Sequence, residues 1–100
     1  MQEKVEKRLQ SDLSLVSNAL MLAAKGHAHQ RRKSDNAPYL NHLVEVMSLL
    51  VEFEHETDSS VLCAAILHDS LEDTNITQTT ILELFGVNTL EMVKALTDDK

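Results

Sequence analysis

The sequence predicts an all-α fold, a bundle of about five helices, and three observations carry that prediction. Gly occurs only at positions 26 and 86 and Pro only at 38, so there are few places for sharp turns. Apolar residues recur three and four positions apart through successive segments, the period of an amphipathic helix. No window alternates polar and apolar residues as a half-buried strand does. With 100 residues, 43% of them hydrophobic and 25% charged, the chain suits one globular domain with a modest core.

The elements follow in order. Ser11 or Asp12 can cap a first helix, along which Leu13, Val16, Leu20, Ala23 and Ala24 form an apolar stripe. Ser34-Asp-Asn-Ala-Pro38 is a loop of turn formers ending in a helix-starting Pro. A second helix covers roughly Tyr39 to Phe53, with Leu43, Val46, Met47, Leu50 and Val51 facing inward. After a polar link, Asp58 or Ser59 caps a third helix whose run from Val61 to Leu67 is apolar on every side, the mark of a helix buried all round. A fourth helix follows Thr77 and ends at Gly86, and a fifth covers about Asn88 to Leu96. Five short helices leave little to bury Val61 to Leu67, so an exposed apolar patch and self-association are expected.

Composition excludes several functions. Met1 to Gln10 lacks the apolar run of a signal peptide, and no stretch is long and apolar enough to span a bilayer. Cys63 is the only cysteine, which leaves no internal disulfide and makes the cytoplasm the default compartment. Its apolar neighbours mark it as a small core residue. A net charge of −7 argues against a nucleic acid polymer as partner. Lys25, Arg31, Arg32 and Lys33 cluster, with His27 and His29 among them, whereas Ser34 to Val93 contains no Lys or Arg. Two readings stay open for the cluster: a site for a compact anion, or a solvated helix end whose cations suit the dipole.

The third helix ends in His68-Asp-Ser-Leu-Glu-Asp73. On a continuous helix, His68 and Glu72 stack four apart, as do Asp69 and Asp73. Acids at a helix C-terminus oppose the macrodipole, so a cation is expected to compensate. A divalent ion is the economical choice, with His68 and Asp69 as donors and His42 of the preceding helix able to supply a second nitrogen. Mixed imidazole and carboxylate donors favour Mn, Fe or Zn over Ca. Spacing alone leaves the alternative of solvated acids and surface histidines equally open.

Five motifs in order go further. Gln30-Arg-Arg-Lys-Ser34, Ala37-Pro-Tyr-Leu-Asn-His42, Ala64-Ala-Ile-Leu-His-Asp-Ser-Leu-Glu-Asp-Thr74, Phe85-Gly86 and Leu96-Thr-Asp-Asp-Lys100 together resemble the hydrolase domain of the RelA/SpoT family within the HD superfamily, closest to its small one-domain alarmone hydrolases. The resemblance covers about residue 19 to the end. It implies an HD-domain helical bundle, of which residues 1–100 form the N-terminal portion. It also implies a metal-dependent 3′-pyrophosphohydrolase that converts guanosine tetraphosphate to GDP and pyrophosphate, with Mn²⁺ as the usual ion. His42, His68 and Asp69 match the family's metal ligands, Glu72 and Asp73 its catalytic pair, and Arg32, Lys33 and Ser34 its nucleotide-contacting loop.

Some positions depart from the family pattern. His29 stands where Gly is frequent, Leu43 where Pro usually follows the first metal-binding His, and the loop from Lys33 to Pro38 differs slightly in length. The family's fourth ligand, an Asp on a later helix, has no counterpart within the 100 residues. Asp98 and Asp99 belong to the earlier Thr-Asp-Asp-Lys motif and are not assigned to it. The expectation is therefore a homo-oligomeric, alarmone-binding chain with slow or no turnover. The alternatives are an HD phosphohydrolase for another nucleotide, or a non-catalytic helical module for nucleotide binding or oligomerisation.

Overall fold

A computed structural model describes residues 2–56 and 58–98, with side chains described for 11–56 and 58–97. It is all-α among the described residues, with helices α1 (Gln2–Gly26), α2 (Tyr39–Phe53), α3 (Ser59–Leu67), α4 (Ser70–Asp73), α5 (Gln78–Phe85) and α6 (Val87–Asp98). Five are helices of eight residues or more, and α4 is a single turn. Asp99 and Lys100 of the last motif lie outside the described residues.

The first helix begins earlier than its capping residues suggest. Residues 2–10 contain neither Gly nor Pro and are rich in good helix formers, so the helix runs straight through Ser11 and Asp12. Asp12 instead ties α1 to α3, its carboxylate accepting from the Ser59 hydroxyl at 3.1 Å. Leu13, expected in the apolar stripe, is 70% exposed.

Central in the bundle is α3, which packs against α1, α2 and α6, while α5 packs on α6. Asp58 caps α3, its side chain accepting from the Ser60 N–H at 2.9 Å. Leu62 through Leu67 are all buried, so the neighbouring helices cover the apolar run except at Val61, which is half-buried. Small residues are prominent in the core, with Ala19 and Ala23 of α1 fully buried and Ala64 of α3 nearly so. Leu43, Ile66, Leu67, Ile81 and Val93 complete it, each such side chain contributing about 1.5–3 kcal/mol of apolar burial.

Apolar surface is exposed elsewhere. Leu49, Val51 and Phe53 at the end of α2 are 55%, 43% and 71% exposed, which places Val51 outside rather than inside. An open apolar groove of about 380 Å³ runs between α2, α3 and α6, lined by Leu50, Val61, Met92 and Leu96 among others. The remaining boundaries follow local chemistry: Thr77 caps α5 by accepting from the Thr80 N–H, and Gly86 ends it at φ 91°, a conformation costly for any residue with a Cβ. No helix among the described residues is long and apolar enough to cross a membrane.

Candidate metal centre

Two elements bring the donors together. His42 lies in the first turn of α2, and His68 and Asp69 form the junction between α3 and α4. One donor atom from each of the three lies within 4.8 Å of the others. His68 Nε2 is 3.1 Å from Asp69 Oδ2. The His42 and His68 rings approach edge to face, with centroids 6.1 Å apart.

The junction is not the continuous helix end that four-residue spacing suggests. Helix α3 stops at Leu67, and the chain restarts as the single turn α4. Two side-chain hydrogen bonds to carbonyls mark the junction. His68 Nδ1 donates to the Ala65 carbonyl at 2.6 Å, the acceptor region the helix would need for its next bonds. The Thr97 hydroxyl of α6 reaches both the His68 carbonyl, at 3.1 Å, and the Val93 carbonyl, at 2.8 Å. Glu72 and Asp73 are exposed on that turn, where the Asp73 N–H donates to the Asp69 carbonyl at 3.1 Å, so Asp69 and Asp73 still lie one helical turn apart.

The donor chemistry fits a divalent ion. With its proton on Nδ1 and committed to Ala65, His68 presents the Nε2 lone pair to the corner, the tautomer that a ligating imidazole needs. Asp69 is 4% exposed, and a carboxylate so buried must be paired, hydrogen-bonded or bound to a cation. The Tyr39 hydroxyl donates to Asp69 Oδ2. Cys63, buried one turn earlier, offers no alternative nucleophile: burial pushes its thiol from 9.0 up to about 11.

The basic cluster divides. Arg32, Lys33 and Ser34 occupy the loop between α1 and α2, where the Arg32 N–H donates to the Ala37 carbonyl at 2.8 Å. The Arg32 guanidinium donates to both carboxylate oxygens of Glu45, at 3.1 Å each, and lies 3.8 Å from Asp35. Glu45 follows His42 by three residues, so this pair tethers the loop to the flank of α2 that carries His42. Lys33 and Ser34 are exposed. His27 leaves the cluster altogether; it is 3% exposed and lies against Tyr39.

Tyr39, His27 and Thr97 were not singled out as site residues by sequence. A signal existed for Tyr39, which precedes His42 by three residues and so shares its helix face. The contact between Thr97 and the His68 carbonyl spans 29 positions, and no local pattern reveals it.

An all-α bundle that brings a His and a His-Asp doublet with a buried carboxylate to one corner defines a class, and comparison with known proteins agrees. A family profile described as HD domain matches residues 19–99, and the chain belongs to that family. The family is metal-dependent. Among individual proteins, the chain is 42% identical over 93 residues to the guanosine-3′,5′-bis(diphosphate) 3′-pyrophosphohydrolase MESH1 of Xenopus tropicalis, covering 92% of this chain and 52% of that one. MESH1 of Drosophila melanogaster is 42% identical over 82 residues, covering 81% of this chain and 46% of that one. A solved structure of a metazoan ortholog of SpoT that hydrolyses ppGpp superposes with a TM-score of 0.79 at 37% identity, covering 83% of this chain and 47% of that chain. The chain thus spans about half the length of each of these three relatives.

Proposed function

We propose that this chain carries the metal-holding and proton-accepting part of a guanosine-3′,5′-bis(diphosphate) 3′-pyrophosphohydrolase, which converts ppGpp to GDP and pyrophosphate. The observation that carries the reading is the convergence of His42, His68 and Asp69 donors within 4.8 Å. Likeness to MESH1, whose name states that activity, supplies the substrate.

In this reading His42, His68 and Asp69 hold the ion, with Mn²⁺ as the working metal. When bound, a divalent ion there supplies Lewis acidity, polarising a phosphoryl oxygen and acidifying water. Glu72, on the turn directly after Asp69, accepts the proton of the attacking water, and Asp73 beside it helps orient that water. The new bond joins the water oxygen to phosphorus and the broken bond joins phosphorus to the 3′ oxygen. The proton taken by Glu72 balances the one the departing 3′ oxygen acquires. Arg32 and Lys33 offset the charge of the nucleotide, and Ser34 donates a hydrogen bond to it. The cytoplasm is the compartment, and nucleic acid polymers and membranes are not partners. A second copy of the chain is the proposed macromolecular partner, because Leu49, Phe53 and Leu96 expose apolar area beside a groove of the same character.

Incubation with ppGpp, with Mn²⁺ or with a chelator, tests the reading. Slow pyrophosphate release that requires Mn²⁺ is expected. Hydrolysis of other nucleotides alone would assign a different HD phosphohydrolase, and binding without turnover a non-catalytic module. Light scattering across a concentration series tests self-association; a constant monomer mass would refute it.

A further inference from the structure

Tyr39 is the only tyrosine in the chain. It opens α2, its ring lies 5.4 Å from that of His42, and its hydroxyl donates to Asp69 Oδ2, thirty positions away. One side chain therefore touches both elements that supply the donors.

What holds Tyr39 is equally specific. Its N–H donates to the Gln30 carbonyl at 2.9 Å, and the Gln30 N–H donates to the His27 carbonyl at 2.9 Å. The His27 ring lies against the tyrosine ring, with centroids 4.9 Å apart and planes inclined by 31°. His27 Nδ1 meets the Gln30 side-chain oxygen at 2.6 Å. An amide oxygen only accepts, so the imidazole proton sits on Nδ1. Nε2 is then a bare acceptor, buried and without a hydrogen-bond partner among the described residues. Leaving such an acceptor unpaired carries a desolvation cost that an apolar ring in the same space would avoid. What an apolar ring could not supply is the Nδ1 anchor that fixes the ring against Tyr39.

We propose that Tyr39 is a positioning residue for the metal centre, its hydroxyl fixing the Asp69 carboxylate while the His27–Gln30 turn fixes Tyr39. The inference rests on the metal reading of the same corner. A carboxylate free to rotate loses part of its affinity to the entropy of being held. A donor locked onto one oxygen removes that loss before the ion arrives.

The test is calorimetric titration of the 100-residue chain with Mn²⁺ alone, for the parent, Tyr39→Phe, His27→Phe and the double variant. Tyr39→Phe keeps the ring and removes only the hydroxyl. It is expected to weaken Mn²⁺ binding about 10–100-fold, the usual cost of losing an outer-shell partner, while the metal-free melting temperature stays close to that of the parent. His27→Phe weakens binding less, and adds nothing measurable once the hydroxyl is gone, because its effect passes through that hydroxyl. Parent affinity in Tyr39→Phe overturns the proposal and leaves the metal reading standing. A parent that binds no Mn²⁺ overturns both. Should Tyr39→Phe unfold, His27→Phe decides: weaker Mn²⁺ binding supports the chain of contacts, and parent affinity overturns it.

Discussion

The corner holding His42, His68 and Asp69 and the loop holding Arg32, Lys33 and Ser34 lie at the two ends of one reading of this chain, and the structure treats them differently. At the corner, two of the three donors are fixed by a further contact: His68 by the Ala65 carbonyl and Asp69 by the Tyr39 hydroxyl. In the loop, Arg32 is spent on Glu45 and Asp35, and Lys33 and Ser34 stand in solvent. The donors of the corner are held with few degrees of freedom, as the proposed metal site requires. A nucleotide held by the loop, as proposed, would have to displace an internal ion pair. Preorganisation of this kind is where affinity is gained, since ordering costs are met on folding rather than on binding.

The sharpest way to break this contrast is to remove a corner donor. His42→Ala or His68→Ala each deletes one nitrogen, and metal content on elemental analysis should collapse, by more than the roughly 10–100-fold that an outer-shell change costs. Unchanged metal in both variants contradicts the corner's role. Glu72→Gln should leave metal in place and lower ppGpp turnover by about 10²–10⁴-fold, the scale of losing a general base, measured under single-turnover conditions with protein in excess. Parent turnover removes Glu72 from the chemistry.

The loop should respond more gently. Replacing Arg32 and Lys33 together with Ala should leave Mn²⁺ affinity unchanged, weaken nucleotide binding several-fold and flatten its salt dependence, because exposed charge contacts are screened. Glu45→Gln should do the reverse, freeing Arg32 and tightening nucleotide binding, as calorimetry at low and high salt can read. Equal affinity in all three proteins would make the cluster a solvated helix end.

A further effect, on stability alone, lies in the core behind the corner. Burial holds the Cys63 thiol up at about 11 against 9.0 when exposed. Between those values an unfolded chain loses the proton that the native state keeps, so the native state binds more protons and stability falls as pH rises. The full loss is at most about 2–3 kcal/mol. Urea melts at stepped alkaline pH should show that slope in the parent and lack it in Cys63→Ala, whose cavity cost does not depend on pH.

Legibility from sequence divides along the same line. The bundle was readable because helices announce themselves locally: Asp58 and Thr77 as caps, Gly86 as a stop, and the all-round apolar run from Val61 to Leu67 as a central helix. The start of α1 was misplaced because Ser11 and Asp12 resemble caps, yet nothing before them breaks a helix. The interruption at His68 and Asp69 was hidden for a different reason. Their four-residue spacing to Glu72 and Asp73 suits a helix, and the contacts that mark the junction, the His68 ring on the Ala65 carbonyl and the Thr97 hydroxyl on the His68 carbonyl, are tertiary or local side-chain bonds that spacing does not show. Contacts such as Tyr39 with Asp69, or Arg32 with Glu45, join distant positions, and no periodicity encodes them.

The central claim is that His42, His68 and Asp69 hold one divalent ion. Crystals of the chain grown with Mn²⁺ and measured near the Mn absorption edge test it most directly. The account predicts a single anomalous peak at the α2 and α3–α4 corner, within bonding distance of both imidazoles and the Asp69 carboxylate. A well-ordered corner with no peak, or a peak held by other side chains, would contradict it.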